Sequence, residues 1–356
     1  MTRSVASPPK AHLRSVVSLP KAHLHLHFTG SMGIDTLREL AEKHRIRLPD
    51  SLQEGWPPKL SARDERGWFR FQRLYDAARA CVRDESDMRR IVREAALDDT
   101  AEGSRWLEIQ VDPTSYAPFV GGITPALEIV LDEARAVSEL GGAQVAVIVA
   151  ASRIRHPLDA RALARLAGQY AGEGPGAVVG FGLSNDERRG VTAEFAPAFR
   201  IARRAGLTLV PHAGELLGPA AVEDTLLSIE PDRLGHGVRS AEDPRVVDMV
   251  AENGVALEVC PGSNVALGVY GEPEDVPLRA LYAAGIPLAL GADDPLLFGN
   301  RLAAQYEIAR GPLGFSDAEL AELARRSLRA SRAPVEVLKP ALADIDEWLA
   351  GPPAQA

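Results

Sequence analysis

Only two cysteines, Cys81 and Cys260, occur in a chain of 356 residues. So few thiols exclude a disulfide framework and place the expected setting in a reducing cytoplasm. Neither cysteine belongs to a Cys-x-x-Cys pair. That removes thiolate zinc ligation and with it the His/Cys/Cys centre of the polynucleotide deaminases. Long apolar runs are also missing, since the hydrophobic stretches are short and interrupted by charge, and no membrane span is expected. Residues Met1 to Ser18 carry Arg3, Lys10, His12 and Arg14 without a continuous apolar stretch, which argues against a secretory signal. Nor is there a basic surplus. Lys and Arg number 40 against 49 Asp and Glu, a formal net charge of −9, whereas a nucleic-acid groove needs the opposite sign. A small polar molecule is therefore the expected partner, with no nucleic acid and no membrane; the sequence carries no signature of oligomeric state.

What is present is a large, evenly spread apolar fraction, 46% of the chain, enough for one extensive core. No linker or low-complexity block divides it. The reading is a loose N-terminal arm over 1–18, a single domain over 19–350 and a disordered tail over 351–356. A short echo, Pro9-Lys10-Ala11-His12-Leu13 against Pro20-Lys21-Ala22-His23-Leu24, reads as coincidence within that arm. Beyond it, eight short apolar runs alternate with amphipathic stretches. Strands are expected at Ala22–Phe28, Trp106–Val111, Gln144–Ala151, Ala177–Gly182, Leu207–Pro211, Arg233–Gly237, Val255–Val259 and Pro287–Gly291. Helical spacing fills the intervals, as in Leu37, Leu40, Ala41 and His44, or Leu127, Val130, Leu131 and Ala134. Such alternation implies βαβ units and a parallel sheet, and eight of them favour an α/β fold closed as a (β/α)8 barrel. The stretch from Pro49 to Cys81 exceeds an ordinary connection. With Trp68, Phe69, Phe71 and Tyr75 it fits either a lid over the barrel mouth or an extra packed helix.

The polar residues gather where a barrel puts its chemistry, at the C-terminal ends of the strands. His25 and His27 are two apart on the first strand, so their imidazoles share a face and make half of a zinc site. The fifth run leads into His212-Ala213-Gly214-Glu215, the sixth carries His236 between Gly235 and Gly237, and the eighth leads into Asp293-Asp294-Pro295. Closure brings the eighth strand beside the first, so Asp293 can join His25 and His27 while His212 reaches across. Three neutral nitrogens and one carboxylate suit Zn²⁺ with a position left for water, although iron, manganese or cobalt would also be held by such a set. Taken singly each piece has a plainer reading: a lone histidine packs in a core, Asp-Asp caps a turn, and Glu215 is a first-turn helix residue. His12, His23, His44 and His156 keep those plain readings. The other four histidines all fall at strand ends.

On these residues the chain resembles the adenosine deaminase family of metal-dependent amidohydrolases, over nearly its whole length from Pro20 to about Arg310. The motifs are Pro20-Lys21-x-x-Leu24-His25-x-His27-x-x-Gly30, Asn185-Asp186-Glu187, His212-Ala213-Gly214-Glu215, Leu234-Gly235-His236-Gly237, Glu258-Val259-Cys260-Pro261 and Asp293-Asp294-Pro295. The resemblance implies hydrolysis of the 6-amino group of a purine nucleoside. By position, one zinc would be bound by His25, His27, His212 and Asp293. His236 would orient the water, Glu215 would give a proton to purine N1, and a protonated Asp294 would donate to purine N7. Thr29, Gly30 and Asn185 fall with Asp294 among the substrate-binding positions.

Two of these depart from the family pattern. Thr29 stands where the family has an Asp that contacts the ribose 5′-hydroxyl, which weakens a charge-assisted bond and is expected to leave room at the 5′ end. Asn185 replaces a Gly used near purine N3. The expected substrate is therefore a 5′-modified adenosine such as 6-amino-6-deoxyfutalosine, of menaquinone biosynthesis, with adenosine and then adenine as alternatives. A two-metal amide or phosphotriester hydrolase is disfavoured because Phe181-Gly182-Leu183-Ser184 offers no bridging lysine. A zinc-bearing binding protein without catalysis is disfavoured because Glu215, His236 and Asp293 are all present.

Overall fold

The computed structural model describes residues 14–351, so the arm up to residue 13 and the tail from 352 lie outside the described residues. Eight strands run in chain order: β1 (Lys21–His27), β2 (Ser104–Val111), β3 (Gln144–Ser152), β4 (Val178–Ser184), β5 (Thr208–Ala213), β6 (Arg233–His236), β7 (Ala256–Val259) and β8 (Leu288–Leu290). Each neighbours the next in one parallel sheet. Leu26 bridges Asp293, and the His27 and Asp293 amides donate to Asp293 and His25 carbonyls at 3.0 Å, which joins the last strand to the first. The expected (β/α)8 barrel is the observed fold, with strand ends displaced by no more than two residues. The strands were readable because a parallel sheet covered by helices is buried on both faces, giving continuous runs such as Val145–Ala151 in β3.

The helices pack their apolar stripes on that sheet. Leu127, Val130, Leu131 and Ala134 are buried on helix Ile123–Glu139, and Leu37, Leu40 and Ala41 on helix Ile34–Lys43. His44 caps the latter at the surface and meets Asp87 at 2.7 Å. Side-chain caps fix the entry of several helices, with reciprocal capping boxes from Asp84 to Asp87 and from Ser316 to Glu319. Among the described residues, no helix is long and apolar enough to cross a membrane.

Two segments depart from the simplest barrel. Residues 14–18, expected within a loose arm, are tied down: Arg14 donates to the carbonyls of Trp348, Leu349 and Gly351, meets Asp317 at 3.3 Å, and leads into buried Val16. Between β1 and β2 the chain inserts helices, of which Glu65–Arg79 lies over the barrel mouth. Its Trp68, Phe71 and Tyr75 line the cavity beneath, whereas Phe69 turns to solvent at 63% exposure.

Candidate active site

β1 pairs with β2 with a register shift between His23 and Leu26. On either side of this irregularity the histidines take different partners. His23 meets Asp99 at 2.9 Å and accepts the Ala292 amide at 3.0 Å, a satisfied packing role. His25 and His27 turn together, with ring centroids 5.2 Å apart. His212, within β5, stands 4.8 Å from His25 and 5.1 Å from His27, centroid to centroid. Asp293 completes the group, its Oδ1 lying 3.3 Å from His27 Nε2 and 3.6 Å from His25 Nε2. The rings approach this closely because glycines make way. A Cβ on Gly235 would fall 2.6 Å from the His212 ring and 2.9 Å from that of His25, and one on Gly291 would fall 2.6 Å from His25 Cβ. His236 and Asp293 hold φ of 65° and 62°, a left-handed backbone that non-glycine residues adopt at a cost and that concentrates at functional sites.

The donor set fits a metal ion. His25 Nε2 and His212 Nε2 are buried from solvent without a hydrogen-bond partner, although buried polar atoms are ordinarily paired. One ligand atom each of His25, His27 and His212 lies within 4.8 Å of the others, and Asp293 Oδ1 approaches the Nε2 atoms of His25 and His27, a donor set of the N/O type that suits a divalent cation. Cys260 Sγ also lies within 4.8 Å of ligand atoms of His25, His236 and Asp293. It is fully buried and its thiol is pushed well above its ordinary range by burial and then by Asp293.

Electrostatics divide the site. Burial disfavours a charge on His25, but the carboxylates of Asp293 and Glu258 outweigh it and hold the metal-free imidazole up at about 10. Burial pushes His27 down and His212 well down, and takes His236 to about 3. Asp293 is opposed by burial yet held well below the carboxylate range by His25 and His27. Glu215 and Asp294 go the other way. Burial, then the Asp293 charge, raises both well above that range, with Glu187 adding to Glu215. In the metal-free site two carboxyls that favour the neutral form thus border three imidazoles that resist protonation, while His25 keeps its proton against Asp293 and Glu258. Glu215 Oε2 sits 3.5 Å from His236 Nε2.

The loop carrying Glu215 is held by a residue to which sequence reasoning assigned no role. Glu187 accepts four consecutive backbone N–H groups, from Gly214 (2.6 Å), Glu215 (2.8 Å), Leu216 (2.5 Å) and Leu217 (3.1 Å). Arg153 donates to the His212 carbonyl and to Thr192 Oγ1. The adjacency of Glu187 to Asn185 in one motif was the available signal.

Above these groups opens a cavity of about 220 Å³. His27, His212, Glu215, His236, Asp293, Asp294 and Asn185 line it, joined by Gln110, Ser152, Tyr75, Tyr116, Arg79 and Arg155. Asn185 takes φ of 82°, a conformation suited to Gly and tolerated by Asn, which explains how an amide replaces glycine at that position. Thr29 and Gly30 do not line the cavity. Gly30 is required by the neighbouring Asp294, whose Oδ1 would lie 1.8 Å from a Cβ there. The Thr29 hydroxyl is bonded to the Tyr116 hydroxyl. The room expected from a shorter side chain at 29 is therefore taken up by a tyrosine from the β2–β3 connection.

The geometry has close counterparts. The adenosine deaminase family model matches residues 20–348. A Streptomyces coelicolor protein named as an adenosine/adenine deaminase is 63% identical over 351 residues, covering 98% of each chain. The adenine deaminase of Sinorhizobium medicae is 38% identical over 313 residues, 86% of this chain and 92% of its own. The crystal structure of adenine deaminase from Arthrobacter aurescens superposes with a TM-score of 0.84 at 29% identity, covering 93% of this chain and 99% of that one. A likeness that runs from the histidine strand through the final helix leaves one assignment: the chain belongs to the adenosine deaminase family and is a deaminase, a hydrolase of carbon–nitrogen bonds.

Proposed function

We propose that the chain removes the 6-amino group of a purine by zinc-dependent hydrolysis, and that its favoured substrate is a 5′-extended adenosine such as 6-amino-6-deoxyfutalosine. The observation that carries the deaminase chemistry is the pair of buried carboxyls, Glu215 and Asp294, facing one cavity beside the His25, His27, His212 and Asp293 group, where burial and the Asp293 charge favour their protonated forms. His25, His27, His212 and Asp293 would hold the zinc, which would lower the pKa of a bound water toward neutrality. Protonated Glu215 gives its proton to purine N1, which breaks ring conjugation and makes C6 electrophilic. His236, kept neutral, hydrogen-bonds the incoming water opposite Glu215. Protonated Asp294 donates to N7, which only accepts, and Asn185 meets the N3 edge. The C6–N6 bond then breaks, and one water is exchanged for ammonia to give the 6-oxo product.

The 5′ extension is supported by the outer cavity wall. No carboxylate stands at position 29 to hold a 5′-hydroxyl, and because Tyr116 fills the place beside Thr29 the support for the extension comes from the rest of the wall. There the wall is aromatic at Trp68, Phe71 and Tyr75, with the guanidiniums of Arg79 and Arg155 able to meet a ketone oxygen. A second reading, deamination of free adenine, is favoured by the relatives named adenine deaminase and by the same Thr29–Tyr116 closure, since a site without a sugar needs no 5′ contact. Residues 19–350 are read as one catalytic domain working in the cytoplasm on a free small molecule.

Loss of 6-aminopurine absorbance by zinc-loaded protein, followed in parallel with adenosine, adenine, 5′-methylthioadenosine and 6-amino-6-deoxyfutalosine, tests the choice. The highest kcat/KM is expected with the futalosine derivative. A clear preference for adenine transfers the proposal to the second reading. A preference for adenosine over every 5′-modified analogue refutes the 5′ argument.

A further inference from the structure

The barrel interior holds three buried charges that none of the steps above uses. Glu258 on β7, Arg233 on β6 and Glu108 on β2 are each 1% exposed or less. One Glu258 oxygen meets His25 Nδ1 at 2.8 Å, and the other accepts Arg233 Nε at 2.7 Å. Arg233 donates its remaining arms to Glu108 and, at 2.8 Å, to the Ala330 carbonyl. The second Glu108 oxygen accepts from Trp106 Nε1 at 2.9 Å and from the Arg332 amide at 2.7 Å. Because β2 and β6 are not neighbours in the sheet, the Arg233–Glu108 pair spans the barrel interior. Ala330 and Arg332 border a depression shared with strand-start residues Thr208 and Ala256, at the end opposite the mouth. One continuous line thus joins the floor of the barrel to a histidine of the site.

Stability is a weak reason for such a trio, since buried ion networks are often replaced by apolar residues with no loss of stability. Orientation is a better one. Both Glu258 oxygens are engaged, so its plane is fixed. A carboxylate fixed on Nδ1 selects the imidazole tautomer whose Nε2 lone pair is free, and His25 Nε2 is the buried atom left without a partner. We propose that Arg233 is a positioning residue for the metal centre: anchored by Glu108 and the Ala330 carbonyl, it holds Glu258 in the orientation that aims His25 Nε2 at the ion. The proposal rests on the reading of His25 as a metal ligand.

The test compares wild type, Arg233→Lys and the double variant Arg233→Met/Glu108→Gln. The double variant removes one positive and one negative charge, so with Glu258 ionised the trio keeps its net charge (−1 + 1 − 1 before, 0 + 0 − 1 after). Each protein is stripped of metal, zinc affinity is read by competition with a chromogenic chelator, and the melting temperature of the metal-free form is measured alongside. Zinc binding about 10- to 100-fold weaker is expected for the double variant, with a metal-free melting temperature close to wild type. Arg233→Lys, which keeps a charge but cannot bridge both glutamates, falls between. Wild-type zinc affinity in both variants overturns the proposal, as does an affinity loss matched by an equal loss of metal-free stability. If the double variant does not fold, Arg233→Lys decides by the same two readouts. A wild-type protein that binds no zinc refutes the metal reading itself, an outcome distinct from unaltered variants.

Discussion

Replacing Glu187 by Gln examines how the proton donor is held in place. The wild-type carboxylate accepts four backbone N–H groups from residues 214–217 at 2.5–3.1 Å and is 4% exposed. Hydrogen bonds to a charged group contribute about 1.5–3 kcal/mol each, roughly twice their neutral counterparts. A glutamine can set its one carbonyl where three of these N–H groups converge, but its NH₂ then faces the Gly214 donor. One charged bond is lost and three lose their charge assistance, together about 4–7 kcal/mol set against the loop conformation. The barrel does not share in that loss, because its ladders are untouched. The expected consequence is local: Glu215 lies within the affected turn, and a displacement near 1 Å at a reacting group lowers rate by about 10²-fold. Steady-state kinetics on zinc-saturated protein should show kcat down by about 10²-fold with zinc content unchanged. A kcat within a factor of about three of wild type at full zinc occupancy, where a 1 Å displacement predicts far more, would refute the clamp.

Other outcomes follow from the same geometry. Glu215→Gln keeps zinc and loses about 10²- to 10⁴-fold in kcat, read by ammonia release together with metal analysis. His212→Ala loses zinc and zinc-dependent stabilisation together, so chelator and buffer melting curves should coincide for the variant while they separate for wild type. Burial takes His236 to about 3 in the metal-free site, so between pH 6.5 and that value the unfolded chain binds a proton that the folded site refuses. The stability this contributes is present above pH 6.5 and is lost as pH falls through that window. In metal-free His236→Asn, the pH slope of denaturant-derived stability between pH 6 and 4 should flatten by about 1.4 kcal/mol per pH unit, and an unchanged slope would contradict the assignment.

Much of the architecture could be read along the chain because each relevant signal was local. β3 announces itself as Val145–Ala151 without interruption, and His25 with His27 declares a shared face through strand periodicity alone. The groups from β5, β6 and β8 required only the assumption of closure, after which barrel geometry gathers them. What escaped depends on partners far apart in sequence. Glu258 and Glu108 each look like a stray charge in an apolar strand, and their link through Arg233 joins residues separated by 25 and 125 positions. Glu187 clamps a loop 27 to 30 residues later through backbone amides, which have no side-chain signature. Thr29 told of a missing carboxylate but not of Tyr116, 87 residues away, whose hydroxyl takes up the vacated place. Arg14 likewise finds its anchors more than 300 residues on, at Asp317 and at the end of the C-terminal helix.

The proposed deamination takes place at one metal held by His25, His27, His212 and Asp293. The most direct measurement titrates zinc into metal-free protein and records ammonia release from a saturating 6-aminopurine substrate against bound zinc per chain. Activity should start near zero, rise linearly and level off at about one zinc per chain, the capacity of a single His₃Asp set. Full activity in the metal-free protein, or a maximum reached only at two metals per chain, would contradict it.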